Sequence, residues 1–194
     1  MLAATAASAA ALAGATPPGL TVWLTGLPGS GKTTSAMALR HQFDDLDQFV
    51  VVLDGDHLRR GLSRDLGFTN EDRDESVRRA GEIALLLSSQ GGISVVSLVS
   101  PRRGARDAVR ARHAESGVGF VEVYLDASLE ICEQRDPKSL YRRTREGEIS
   151  HMTGVDDPYE APLAPDLVLA TGEMALEQSV EVLRAAVLVR IASL

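Results

Sequence analysis

The sequence predicts an α/β protein: a five-stranded parallel sheet with helices on both faces, a phosphate-binding loop and a lid segment. Three observations predict it. Apolar runs of strand length alternate with stretches of helical periodicity from residue 20 to the last helix, an order that calls for right-handed crossovers between parallel strands. The first run breaks into a glycine-rich turn, LTVWLTGLPGSGKTT, in the strand, loop, helix context that a phosphate cradle requires. Residues 136–165 are rich in charge, Gly and Pro with little apolar periodicity, and a long irregular stretch inside a compact domain is usually a lid or a binding loop.

The elements follow in order. Residues 1–19 are dominated by alanine and close on Thr16, Pro17, Pro18 and Gly19. The stretch has no basic start and no leucine-rich centre, so it reads as an extension outside the fold, not as a secretory signal. After the cradle, Met37, Leu39 and Phe43 lie among helix formers, and the acidic Asp44, Asp45 and Asp47 end that pattern. Residues 49–53 are a continuous apolar, β-branched run, the pattern of a strand buried on both faces. Residues 57–61 suit a short helix. Thr69 and Asn70 offer a cap for a long helix with Val77, Ala80, Ile83 and Leu87 at helical spacing, ending at Gly91 and Gly92. Residues 93–99 are a third strand, 102–116 an arginine-rich helix, 120–125 a fourth strand, 128–135 a helix and 167–170 a fifth strand. Leu176, Val180, Leu183 and Val187 line one face of a closing helix.

Composition bounds the chemistry. With 194 residues, 44% hydrophobic and 24% charged, the chain is long enough for one domain burying roughly 70% of its unfolded surface. No apolar stretch approaches twenty residues, which speaks against a membrane span. The net charge of −7 argues against a general nucleic-acid surface. One cysteine, Cys132, permits no disulfide framework and fits a reducing, cytoplasmic setting; burial as core filler is its expected role. The arginines nevertheless cluster, at 59–60, 73, 78–79, 102–103, 106, 142–143 and 145. Most suit solvated helix faces, and a few suit a local anion site.

The cradle spans Gly26, Leu27, Pro28, Gly29, Ser30, Gly31, Lys32, Thr33 and Thr34, and satisfies G-x-x-x-x-G-K-[ST]. Its glycines let backbone N–H groups turn onto phosphate oxygens, and the helix that starts there adds its positive end. Lys32 is expected to reach the terminal phosphates of ATP and the Thr33 hydroxyl to hold Mg2+. Asp54 and Asp56 stand two apart at the end of the second strand, where ligands bind in open α/β sheets. One carboxylate can hold magnesium, directly or through water, while the other accepts a proton from an attacking hydroxyl. The alternative is that Asp56 only caps the following helix. No guanine-reading N-K-x-D is present, so a P-loop kinase for a small acceptor is the favoured class. His113 and His151 read as surface or lid residues.

Beyond the cradle, LDGDHLRRGLSRDLGF, EDRDESVRR, VSPRRGARDAVR, FVEVYLDASLEICEQRDPKSLYRRTREGEI and TGVDDPYEAPLAPDLVL resemble the adenylyl-sulfate kinase family in order and spacing, from about residue 20 to the final helix. The resemblance implies transfer of the ATP γ-phosphate to the 3′-hydroxyl of adenosine 5′-phosphosulfate, giving 3′-phosphoadenosine 5′-phosphosulfate and ADP, by a protein that is commonly a homodimer. It implies Asp56 as the base, Asp54 as an aid to magnesium, and Arg59, Arg73 and Lys138 on the phosphosulfate and the moving phosphate. Phe68 would stack on the acceptor base, and Val99 and Ser100 would line its pocket. A serine at the Ser100 position has been seen phosphorylated in some members; structural lining is the role expected here.

Three positions depart from the family pattern. His57 follows the DGD where many members have Asn. Ser76 replaces the Asn of DRxEN, shortening a side chain expected to hydrogen-bond the acceptor. Met152, before Thr153, replaces the Phe of FTG that covers the second face of the base. A thioether on a ring is worth roughly 0.3–1.5 kcal/mol, so base selectivity is the property most exposed to that change. Two other readings therefore stand beside the first: a kinase of the same build for another nucleoside phosphosulfate or small anionic alcohol, and a non-catalytic nucleotide-binding module.

Overall fold

The computed structural model describes residues 19–44 and 48–194; the expected alanine-rich extension lies almost wholly outside them. Five parallel strands form one sheet, β1 (Leu20–Thr25), β2 (Val50–Asp54), β3 (Ile93–Ser97), β4 (Gly119–Leu125) and β5 (Leu167–Leu169), in the order β2-β3-β1-β4-β5. The reversal of strand order falls beside β1, and the loop that leaves β1 opens at that switch point, where α/β sheets bind ligands. The helices are α1 (Lys32–His41), α2 (Gly55–Arg60), α3 (Asn70–Ser89), α4 (Arg103–Glu115), α5 (Leu129–Arg135), α6 (Leu140–Arg145) and α7 (Leu176–Ile191).

The two faces of the sheet carry separate cores. One joins Leu20, Val22, Leu24, Leu39, Phe43, Val95, Val123, Leu183 and Val187, which places α1 and α7 together. The other joins Trp23, Leu58, Val77, Ala80, Ala84, Val96, Val109 and Phe120 beneath α3 and α4. The helical spacing of Val77, Ala80 and Ala84 is what turns α3 onto the sheet. Thr69 caps that helix, its side chain accepting from Asp72 N at 3.2 Å.

The structure corrects four expectations. β2 is an edge strand, so Val50, Val51 and Val52 are only partly buried, and their apolar run reflects coverage by neighbours on one edge alone. Residues 136–165 are not without structure: α6 lies within them, and Tyr141, Met152, Cys132 and Ala127 form a third apolar cluster. His113 is fully buried, not superficial, because it falls one turn after Val109 on the sheet-facing side of α4. Its Nδ1 bonds Val109 O at 2.8 Å and its Nε2 bonds Thr21 Oγ1 at 3.0 Å, and burial holds its pKa below the ordinary value. Arg106 is 1% exposed and does not belong to an anion site; it pairs with Glu122 at 2.8 Å and donates to Ser100 O and Glu160 O, both at 2.7 Å.

Candidate active site

The cradle forms because β1 ends in residues that cannot continue a strand. Gly26, Gly29 and Gly31 take φ of 153°, 81° and 95°, and at Gly29 a Cβ would lie 2.9 Å from Cys132 O, so glycine is required there on two counts. The loop delivers the chain into α1, whose first residues are Lys32 and Thr33. Lys32 is 8% exposed, and its Nζ donates to Gly26 O and Leu27 O, each at 2.8 Å. Burial lowers its pKa to about 7, against the pull of Asp54 and Asp56. A triphosphate laid in the cradle would reverse that balance, since an adjacent polyanion favours the charged amine.

Asp54 and Asp56 take distinct positions. Asp54 is the cap of α2, its Oδ1 accepting from Asp56 N at 3.0 Å, so the capping role considered for Asp56 falls to Asp54. Its Oδ2 accepts from Thr33 Oγ1 at 2.7 Å and from Ser97 Oγ at 3.3 Å. These are hard oxygen donors beside the loop, a set that fits Mg2+. No group of three or more His, Cys, Asp or Glu side chains is arranged to hold a metal among the described residues. Asp56 instead reaches across the cleft, where Lys138 pairs with its Oδ2.

The opposite wall gathers side chains from α2, α3 and the loop between them. The Arg59 guanidinium lies 4.2 Å from the centre of the Phe68 ring, and that of Arg73 lies 5.5 Å from it. Arg59 donates to Gly67 O at 2.8 Å and Arg73 to Phe68 O at 3.0 Å. Among the described residues neither arginine is ion-paired, unlike Arg78 and Arg79 on Glu75, Arg102 on Asp74 or Arg145 on Glu133. Desolvation lowers the pKa of both, and for Arg73 the charge of Arg59 adds to it. Two desolvated guanidiniums side by side, with Asp56, Asp72 and Asp157 near but none at ion-pair distance, are an arrangement that an anion relieves. Phe68 is 53% exposed, an uncommon exposure for a phenylalanine and one that suits a stacking platform.

The lid closes the third side. Arg73 donates to His151 O, which the left-handed backbone of His151, φ 60°, turns toward it. Thr153 is 1% exposed, lines the cleft, and carries a buried hydroxyl without a hydrogen-bond partner. The cleft encloses about 1250 Å³ and runs from the phosphate loop past Asp56 to Phe68 and Ser76.

Comparison with known proteins identifies the arrangement. The sequence model of the family described as adenylylsulphate kinase matches residues 18–170. The chain belongs to the adenylylsulphate kinase family. It is 48% identical over 167 residues to an adenylyl-sulfate kinase of Paraburkholderia xenovorans, covering 84% of this chain and 89% of the relative. It is 46% identical over 160 residues to the adenylyl-sulfate kinase of Saccharomyces cerevisiae, covering 82% and 79%. Among solved structures, an APS kinase of Mycobacterium tuberculosis in complex with AMPPNP and APS superposes with a TM-score of 0.85 at 42% identity, covering 88% of this chain and 98% of that one.

In this member of the adenylylsulphate kinase family, the residues named from the sequence gather at the cleft, save Gly26 and Leu27, which do not line it. Lys32, Thr33, Thr34, Asp54, Asp56, Arg59, Phe68, Arg73, Ser76, Val99, Ser100, Lys138, Met152 and Thr153 all line the one cleft. Two of them are engaged behind the cleft surface. Ser100 is 2% exposed, with φ of 41°, and its Oγ accepts from Trp23 Nε1 at 3.0 Å. Its hydroxyl is thus committed to the wall, as the lining role requires. Met152 is 6% exposed and packs with Tyr141 and Cys132, so most of its thioether serves the lid's own core. The sequence reading missed Arg135, Thr171, Met174, Leu176 and Ser179, which line the cleft on the far side of the loop from Asp56. No motif marks them: Arg135 ends α5 just before the lid, and the other four lie between β5 and the first turn of α7.

Proposed function

We propose that this chain is an ATP-dependent kinase that phosphorylates the 3′-hydroxyl of adenosine 5′-phosphosulfate, releasing 3′-phosphoadenosine 5′-phosphosulfate and ADP. The observation that carries the reading is one cleft holding the phosphate loop at one end, the paired arginines and Phe68 at the other, and Asp56 between them. Family membership supports the same assignment.

The residues supply a complete account of the transfer. Backbone N–H groups of the loop and the α1 N-terminus grip the β and γ phosphates of ATP. The donor's base would lie toward Arg135, Thr171 and Met174. Mg2+ would be held by Thr33 and, directly or through water, Asp54, and would supply charge neutralisation on the phosphates. Arg59 and Arg73 bind the phosphosulfate as fixed forks, Phe68 stacks on the base, and Ser76, Val99, Ser100, Met152 and Thr153 shape its pocket. Asp56 accepts the proton of the 3′-hydroxyl as the oxygen attacks the γ-phosphorus and ADP leaves. Lys138 pairs with Asp56 and holds its carboxylate in place, then lies beside the phosphoryl group in transit. The lid keeps water out, so the phosphoryl group passes to the alcohol.

The test is a mass-spectrometric assay with ATP, Mg2+ and a panel of nucleoside 5′-phosphosulfates. ADP and a phosphorylated product are expected with the adenosine compound as the best acceptor. Acceptor-independent ADP release, or preference for another base, would overturn the assignment. The fold is expected to act from residues 20–194 and as a homodimer, which light scattering checks. No helix among the described residues is long and apolar enough to cross a membrane.

A further inference from the structure

Tyr141 stands outside every role given above. It sits on α6, is 1% exposed, and its hydroxyl donates to Pro28 O at 2.8 Å. A buried tyrosine needs a partner for its O–H, yet many carbonyls would serve, and this one belongs to the phosphate loop. Pro28 C=O and Gly29 N–H are opposite edges of a single planar trans peptide. In the reading above, Gly29 N–H is one of the donors to the nucleotide's phosphates. Tyr141 therefore bonds the back of a peptide whose front holds the donor.

The lid segment around Tyr141 reaches the acceptor side as one packed unit. Lys138 pairs with Asp56, His151 O takes the Arg73 guanidinium, and Met152 packs against Tyr141 in the third cluster. Gly154, at φ 92°, lies so close to the loop that a Cβ would come within 2.8 Å of Leu27 Cδ2. Hydrogen bonds in series polarise one another: a phosphate on Gly29 N–H makes Pro28 O a stronger acceptor, and donation to Pro28 O makes Gly29 N–H a stronger donor. Such an effect is reciprocal by thermodynamic necessity.

We propose that Tyr141 is a positioning residue that couples the two halves of the cleft through the Pro28–Gly29 peptide, so that nucleotide in the loop fixes the lid in its acceptor-binding arrangement. The proposal rests on the kinase reading given above. It differs from a purely structural role, which would alter stability and leave the two ligands indifferent to each other.

The experiment is calorimetric titration of adenosine 5′-phosphosulfate into the whole chain with and without a saturating non-hydrolysable ATP analogue and Mg2+. The wild-type chain is expected to bind the acceptor at least ~5-fold more tightly when the analogue is present, the lower end of ordinary site-to-site coupling. Tyr141→Phe, which keeps the ring, is expected to bring that ratio within about twofold of unity. In steady state, the acceptor KM rises, and nucleotide affinity measured with acceptor bound falls by the same factor, as reciprocity requires. Gly154→Ala, which pushes the lid from Leu27 without touching the hydroxyl, should lower the ratio as well and carries the test should the Phe variant fold poorly. A Tyr141→Phe chain that keeps the full ratio overturns the proposal. So does a wild-type chain that binds both ligands with a ratio of one, which leaves the kinase assignment intact. A wild-type chain that binds the analogue but no acceptor overturns both.

Discussion

The two ends of the cleft are built from different material. The donor end is a contiguous stretch of main chain, from Gly26 to Thr34, fixed by positive-φ glycines and by Cys132 behind Gly29. The acceptor end is side chains from separated segments, Arg59, Phe68, Arg73 and Lys138, lying half in solvent. Main-chain donors recognise what all nucleoside triphosphates share. On the proposed reading, side-chain forks and a ring recognise what distinguishes one acceptor. The difference teaches where a change in sequence can alter specificity without loss of chemistry.

Substitutions can break that division, and the largest effect is expected at the boundary. Asp56→Asn removes the proposed proton acceptor and is expected to lower kcat by at least ~100-fold, the usual loss for a positioned base, with nucleotide affinity little changed; stopped assays and nucleotide titration read the two quantities. Next comes the donor end. Gly29→Ala sets a side chain against Cys132 O at a φ of 81°, a strain of about 2 kcal/mol, equal to roughly 30-fold in nucleotide affinity. Acceptor binding measured alone should be unmoved. At the acceptor end, Phe68→Ala is expected to raise the acceptor KM about tenfold, toward the lower range for base stacking, because the ring is 53% exposed. The nucleotide KM should stay within about twofold.

The smallest expected effect sharpens the comparison through pH. Lys32 titrates near 7 in the ligand-free chain, far below its ordinary 10.5, because burial disfavours its charge. A bound triphosphate raises that value, so binding takes up a proton at pH between about 7 and the raised value. Nucleotide affinity is therefore fullest below pH 7 and falls as pH rises through this window. Calorimetry in two buffers of different ionisation enthalpy reads the proton directly. The acceptor arginines do not titrate there, so acceptor affinity should lack the trend. The same depression means that the native chain binds fewer protons than the unfolded one between about 7 and 10.5, and stability contributed through Lys32 rises with pH across that range.

The division also explains what the sequence made legible. The donor end was readable because a backbone cradle needs glycine, lysine and threonine at fixed spacing in one stretch. The parallel sheet followed from alternation, though not the spatial order of its strands, and Asp54 and Asp56 from their place at a strand's end. The residues proposed for the acceptor came only with the family resemblance, since nothing local says that Phe68 and Lys138 line one cleft. Arg106 and His113 misled for one reason: a polar residue on an amphipathic helix looks solvated until its partners, Glu122 for one and Thr21 for the other, arrive from strands far along the chain. α6 escaped notice because its apolar face is two residues, Leu140 and Tyr141, too short for a period to register.

The central claim is that a main-chain donor site and a side-chain acceptor site face each other across Asp56. A crystal structure with a non-hydrolysable ATP analogue, Mg2+ and adenosine 5′-phosphosulfate tests it most directly. The account predicts the Asp56 carboxylate within about 3.2 Å of the ribose 3′-hydroxyl, Phe68 stacked on the acceptor base and Lys138 beside the γ-phosphate. An acceptor whose 3′-hydroxyl lies out of reach of Asp56, with Phe68 and Lys138 turned from it, would contradict the account.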